Sequence, residues 1–168
     1  MAPKVTILKN VAVRGGTISN GKEGDAEKSF GHATFKFKGE DLPYKLPLGE
    51  YFREVINGKI ISTTQIDPHG ATCLAFIQAI MSIKKEDRPE INITFHVDET
   101  GKEVVDAIFG DNSKVDQFHN DYLERIRIEL SEFKETAFKF ETDYEIDDKL
   151  GGPWELFHNY KEEEACDL

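Results

Sequence analysis

Apolar and polar residues alternate with a period of two over much of this chain, and that period predicts strands. Val5, Ile7, Val11 and Val13 share one parity between residues 4 and 13. Residues 30–38 repeat the pattern: Ala33, Phe35 and Phe37 point one way, Lys36 and Lys38 the other. Pro43 and Pro47 flank Tyr44, Leu46 and Leu48, which restricts that segment to an edge strand. Tyr51, Phe52, Val55 and Ile56 fit a helical turn stopping at Asn57 and Gly58, and residues 59–66 return to strand. Ile91, Ile93, Phe95 and Val97 form the clearest alternation. Glu99, Thr100 and Gly101 then predict a turn into a second strand around 104–109. Ile126, Ile128 and Leu130 alternate with charges, as do Phe138, Phe140, Tyr144 and Ile146, which predicts a second hairpin joined near Lys134 and Glu135.

Helical signals are fewer. Asp67 followed by Pro68 is an N-cap and first-turn pair. The run 71–85 is apolar on more than one stripe, which predicts the most buried helix of the chain. Val115, Phe118, His119 and Tyr122 follow the spacing of a short amphipathic helix. Gly151, Gly152 and Pro153 break the chain before a last short helix around Trp154 and Phe157.

These elements predict an α+β fold with a mostly antiparallel sheet. A helix between the third and fourth strands, with a long loop after the first, is the order of an OB-like barrel carrying an added helix and a C-terminal hairpin. Residues 1–150 are expected to form one globular domain, and 151–168 a short aromatic helix and acidic tail.

Charge sharpens the picture. Residues 1–62 carry ten basic and seven acidic groups, whereas 141–168 carry two basic and ten acidic, within a chain of net charge −11. The 168 residues, 39% of them hydrophobic and 12 of them Phe, suffice for a real core. No apolar run is long enough to span a bilayer and no signal segment opens the chain. With only two cysteines, Cys73 and Cys166, the expected setting is the reducing cytoplasm, with no membrane partner.

Motifs for chemistry are incomplete. Gly16 to Lys22 begins like a phosphate-binding loop, but Glu23 stands where the metal-binding hydroxyl belongs. His32 and Thr34 form half of a paired His-x-Thr signature, and no second copy follows. His69 and Cys73 lie four apart on a helix, with Asp67 near, but a helix capped by Asp67 with Cys73 in the core explains them better than a metal site does. No catalytic residue, metal site or cofactor is therefore expected. The best constellation is the basic, aromatic front: Arg14, Lys22, Lys28, Lys36, Lys38, Tyr44, Lys45 and Arg53. Cations that follow phosphates, interleaved with rings that stack bases, suit single-stranded DNA or RNA.

The segment 4–11, the Gly-rich loop 14–29, the strand 30–38 and the tail Glu162, Glu163, Glu164, Asp167 and Leu168 together resemble the small single-stranded DNA-binding proteins of lytic phages. The resemblance implies an OB barrel that performs no chemistry, with an acidic tail that competes with DNA and docks partners. A different reading makes the chain an acidic inhibitor or immunity-type protein. Glu141, Asp143 and Glu145, on one face of the second hairpin, would then cover the phosphate-binding surface of a basic protein partner.

Overall fold

The computed structural model describes residues 6–19, 27–56, 59–62, 68–111, 113–115 and 119–151. Six strands form one open sheet: β1 (Ile7–Ser19), β2 (Glu27–Phe37), β3 (Tyr44–Ile56), β4 (Lys59–Ser62), β5 (Ile91–Val97) and β6 (Glu135–Phe140). Their order is β4-β3-β2-β1-β5-β6. The first three pairings, β4–β3, β3–β2 and β2–β1, are antiparallel, whereas β5 runs parallel to both β1 and β6. The helices are α1 (Pro68–Met81), α2 (Glu99–Ile108), α3 (Asn120–Leu130) and α4 (Asp143–Leu150). The sheet does not close on itself, and a parallel β1–β5–β6 half cannot be made by hairpins. The expected OB-like barrel is therefore overturned, and with it the C-terminal hairpin.

The register explains the layers. Phe37, Val11, Phe95 and Phe138 lie in one row across four strands. This face packs on α1, whose Phe76 ring sits 5.1 Å from that of Phe95. Alpha-1 is buried on nearly every side, as its all-round apolar sequence requires. Val104, Val105 and Ile108 of α2, and Leu123 and Ile126 of α3, join the same core. The opposite sheet face is polar, and α4 covers part of it through Ile146 and Leu150 on Ala12.

Three expected strands are helices or parts of helices. Residues 104–108 belong to α2, with Phe109 as its C-cap, because Asp98 opens the helix, its side chain accepting a bond from the Gly101 N–H at 2.9 Å. Gly101 is small because a Cβ there would fall 2.6 Å from that of Val97; it does not mark a hairpin turn. Ile126, Ile128 and Leu130 lie on α3, where Leu123, Ile126 and Leu130 are buried and Ile128 faces solvent. Tyr144 and Ile146 lie on α4, opened by a capping box between Thr142 and Glu145 and closed by Gly151 at φ +96°. Conversely, Tyr51, Phe52, Val55 and Ile56 extend β3 and form no helical turn. The expected loop 14–29 is shorter, since β1 runs to Ser19 and β2 starts at Glu27. Asp67, Asn57, Gly58, residues 63–66 and the segment around Trp154 lie outside the described residues. No helix among the described residues is long and apolar enough to cross a membrane.

Candidate functional site

The α4 face of the sheet carries two adjacent features. Lys36, Ala12, His96 and Lys139 form one row across β2, β1, β5 and β6. Lys38, Asn10 and Thr94 form the row two residues along, about 6.6 Å away. The C-terminal turn of α4 hangs over these rows and encloses a cleft of about 420 Å³. Four lysines line it, Lys36, Lys38, Lys139 and Lys149, against one carboxylate, Asp148. In a chain of net charge −11 this is a local reversal of sign.

A buried carboxylate organises the cleft. Glu141 follows β6 directly, and its side chain is only 1% exposed. It accepts from His96 Nδ1 at 2.7 Å and from Lys149 Nζ at 2.7 Å, with Lys139 Nζ at 3.9 Å. His96 Nε2 meets Asn10 Oδ1 at 2.9 Å, so both ring nitrogens face oxygen atoms. Burial works to raise the Glu141 pKa, but the bonds and charges of Lys149 and His96 outweigh it and hold the group below the usual carboxylate range.

The second feature lies one row in the other direction. Continuing the β1–β5 register past Val97 brings Asp98 alongside Arg14. Arg14 Nε lies 3.4 Å from Asp98 Oδ2, Nη2 lies 3.6 Å from Asp143 Oδ1, and Nη1 pairs with Asp147 Oδ1. Burial raises the Asp98 pKa above the ordinary aspartate value, against the Gly101 N–H bond and the Arg14 charge.

The sequence-predicted residues fall unevenly on this face. Lys36 and Lys38 line the cleft. Lys45 stands opposite Thr34 in the β2–β3 register, on the same sheet face. Tyr44 pairs with Phe35, on the other face, and stacks on that ring at 4.9 Å between centroids. Phe35 and Phe37 are core. The interleaving of cations and rings thus divides between two faces, and the expected base-stacking surface gives way to a cleft lined, among the described residues, by four lysines and no Phe, Tyr or Trp. Lys28 lies on β2 opposite Phe52, and Arg53 on β3 opposite Glu27 and Ser62. Arg14 is engaged by the acid cluster.

The acidic set is divided too. Glu141 is buried, Asp143 reaches Arg14, and Glu145 closes the α4 capping box. They do not share a strand face. Lys22, Glu162, Glu163, Glu164, Asp167 and Leu168 lie outside the described residues. His96, Lys139, Lys149 and Asp98 escaped the sequence reading of a binding face. A carboxylate just past the carboxyl end of a core strand, as Asp98 is after Val97, was the one signal available.

No protein-family model matches the chain, and no curated protein does. Among solved structures, it is similar to LC11-RNase H1 in complex with an RNA/DNA hybrid, with a TM-score of 0.53 at 10% identity, covering 84% of this chain and 90% of that one. A second structure of that enzyme, isolated from compost by a metagenomic approach, gives 0.51 at 12% identity, covering 84% and 89%. The N-terminal RNase H domain of rv2228c from Mycobacterium tuberculosis gives 0.50 at 12%, covering 80% and 84%. The fold is therefore ribonuclease H-like, which overturns the resemblance to phage single-stranded DNA-binding proteins and the functional readings of stacking barrel and acidic inhibitor.

Nucleases often work with two divalent ions about 3.5–4 Å apart between carboxylates. The residues here do not fit such ions. Among the described residues, no three carboxylate, imidazole or thiol groups stand close enough to hold a metal. The one convergence of three aspartates has a guanidinium at its centre.

Proposed function

We propose that the chain is a ribonuclease H-like domain that works on nucleic acid, with a paired RNA/DNA hybrid as its ligand class. The observation that carries this reading is the lysine cleft between α4 and the sheet, set on a fold whose solved relatives include one holding an RNA/DNA hybrid. Lys36 on β2, Lys38 just past its end and Lys139 on β6 present three cations across the β2-β1-β5-β6 face, with Lys149 above them on α4. Rigid strands hold their backbones, so the charges meet a phosphate backbone without prior ordering of a loop.

Phosphate neutralisation supplies sequence-independent affinity. A ligand with regular strand geometry is favoured because the cations stand at fixed spacings and, among the described residues, no Phe, Tyr or Trp lines the cleft to stack unpaired bases. Glu141 is the positioning residue: it holds His96 and Lys149 at the cleft floor and offsets the Lys149 charge until phosphate arrives. The test is binding of a labelled hybrid across a salt series, compared with the same strands unpaired and with double-stranded DNA.

A further inference from the structure

We infer that Arg14 is the resident cation of the Asp98, Asp143 and Asp147 cluster, standing where a divalent ion would have to sit and closing the cluster to metal. The three nitrogens of its guanidinium each address a different carboxylate: Nε takes Asp98, Nη2 takes Asp143 and Nη1 takes Asp147. The carboxylates come from two elements, the end of β5 and one face of α4, and the guanidinium ties these together. A planar fork of five donors suits this arrangement, and its charge cannot be titrated away within the pH range in which the protein folds.

A hard divalent ion needs several oxygens at about 2.0–2.6 Å. Two oxygens of the cluster are already aimed elsewhere. Asp98 Oδ1 accepts the Gly101 N–H at 2.9 Å as the α2 cap, and Oδ2 faces Arg14. An ion entering between the aspartates would lie within a few ångströms of a permanent positive charge. Nor is Arg14 placed to swing away. Its side chain is 12% exposed, and β1 is an inner strand held between β2 and β5. The next residue, Gly15, is pressed against the backbone of Thr72 in α1, which fixes the main chain at this point. One guanidinium against three carboxylates leaves an excess of negative charge. Removing Arg14 would therefore create a strong demand for another cation. It follows that any strand cleavage by this chain does not run through a metal held by these aspartates.

The test is Mn²⁺ binding by the full chain without nucleic acid, read by electron paramagnetic resonance of the free ion. It stands apart from the hybrid-binding reading, since neither outcome depends on it. The wild type, Asp98→Asn, Asp147→Asn, Arg14→Gln and Arg14→Gln combined with Asp98→Asn are compared. The expected result has three parts: Asp98→Asn and Asp147→Asn leave wild-type Mn²⁺ binding unchanged, Arg14→Gln binds at least about ten-fold tighter, and adding Asp98→Asn removes that gain. A wild-type Mn²⁺ site weakened by Asp98→Asn or Asp147→Asn would overturn the inference, as would Arg14→Gln binding no tighter than wild type. Should Arg14→Gln fail to fold, the neutral, unbranched Arg14→Met takes its place: a new Mn²⁺ site that Asp98→Asn abolishes is expected, and binding no tighter than wild type would overturn the inference.

Discussion

Gly15 on β1 and Thr72 on α1 meet backbone to backbone: a Cβ built on Gly15 would fall 2.1 Å from the Thr72 nitrogen. The Thr72 hydroxyl donates to the Gly15 carbonyl at 3.2 Å and to the Pro68 carbonyl at 2.8 Å. This approach seats α1 on the sheet beside Arg14. Gly15→Ala cannot be absorbed by a side-chain rotation, because the obstructing atoms are main chain. We expect it to destabilise by about 3 kcal/mol or more, measured by chemical denaturation. Gly101→Ala meets the Val97 side chain at 2.6 Å, and is expected to cost less, about 1–2 kcal/mol. Equal losses at the two positions would contradict the difference drawn between them.

Arg88 is a structural cation, 1% exposed, that the acidic composition of the chain conceals. Its Nη2 donates to Ile80 O at 3.0 Å and its Nε to Ile83 O at 3.2 Å, while Nη1 meets Glu129 and, at 2.9 Å, Glu132. It thereby links the end of α1 to α3. Arg88→Ala leaves two carbonyls and two carboxylates without their donor, and is expected to cost about 3–5 kcal/mol. Glu132→Gln removes the charge of only one of the two carboxylates on Nη1, keeps an acceptor oxygen and should cost no more than about 1 kcal/mol. Urea titration of both variants checks the ranking.

His32 gives the fold an acid limit. Burial, reinforced by the Lys45 charge, lowers its pKa from 6.5 to about 4. Between those values the unfolded chain binds a proton that the folded chain does not, so stability falls as pH falls. The loss amounts to at most about 3 kcal/mol by pH 4. Glu141 adds a loss of the same sign at lower pH, because its folded pKa is depressed. His32→Gln should flatten the pH dependence of the unfolding midpoint between 6.5 and 4. A variant with the wild-type slope in that window would assign the effect elsewhere.

Among β1 to β4, the strand over residues 30–38 was legible in the sequence, whereas residues 44–56, expected as an edge strand and a helical turn, are one inner strand between β2 and β4. The alternation through Phe35, Lys36, Phe37 and Lys38 assigned one face to the core and one to lysine, and the structure keeps that division. The all-round apolar run after Pro68 is α1, and Ile91 to Val97 is β5. The helices after β5 misled because short apolar spacings satisfy two periods at once. Ile126 and Leu130 are two alternations apart in a strand and one turn apart in a helix. Capping settled the matter for α2 and α4 through Asp98 and Thr142, signals that outweigh a few alternating positions. The cleft was less legible still. Asn10, His96, Glu141 and Lys149 come from four separate segments, and only the parallel β1–β5–β6 pairing brings them together.

Glu141→Gln separates the positioning role from simple charge. It replaces one of the two carboxylate oxygens that meet His96 and Lys149 by an amide NH2, a donor, while making the cleft more positive. If net charge alone governed affinity, hybrid binding would tighten. We expect it to weaken several-fold, measured by anisotropy at a temperature where thermal melting shows the variant still folded, because the cleft cations lose their fixed positions; the melting temperature itself is expected to fall, since the ionised carboxylate stabilises the fold.

The most direct measurement is fluorescence anisotropy of a labelled RNA/DNA hybrid across a salt series, for wild type and for Lys36→Ala combined with Lys38→Ala. Salt-sensitive binding of the hybrid is expected, at least about ten-fold tighter than of either single strand, with the double variant lowering the salt slope by about 2. Hybrid bound no tighter than its separate strands, or bound equally well without the two lysines, would contradict it.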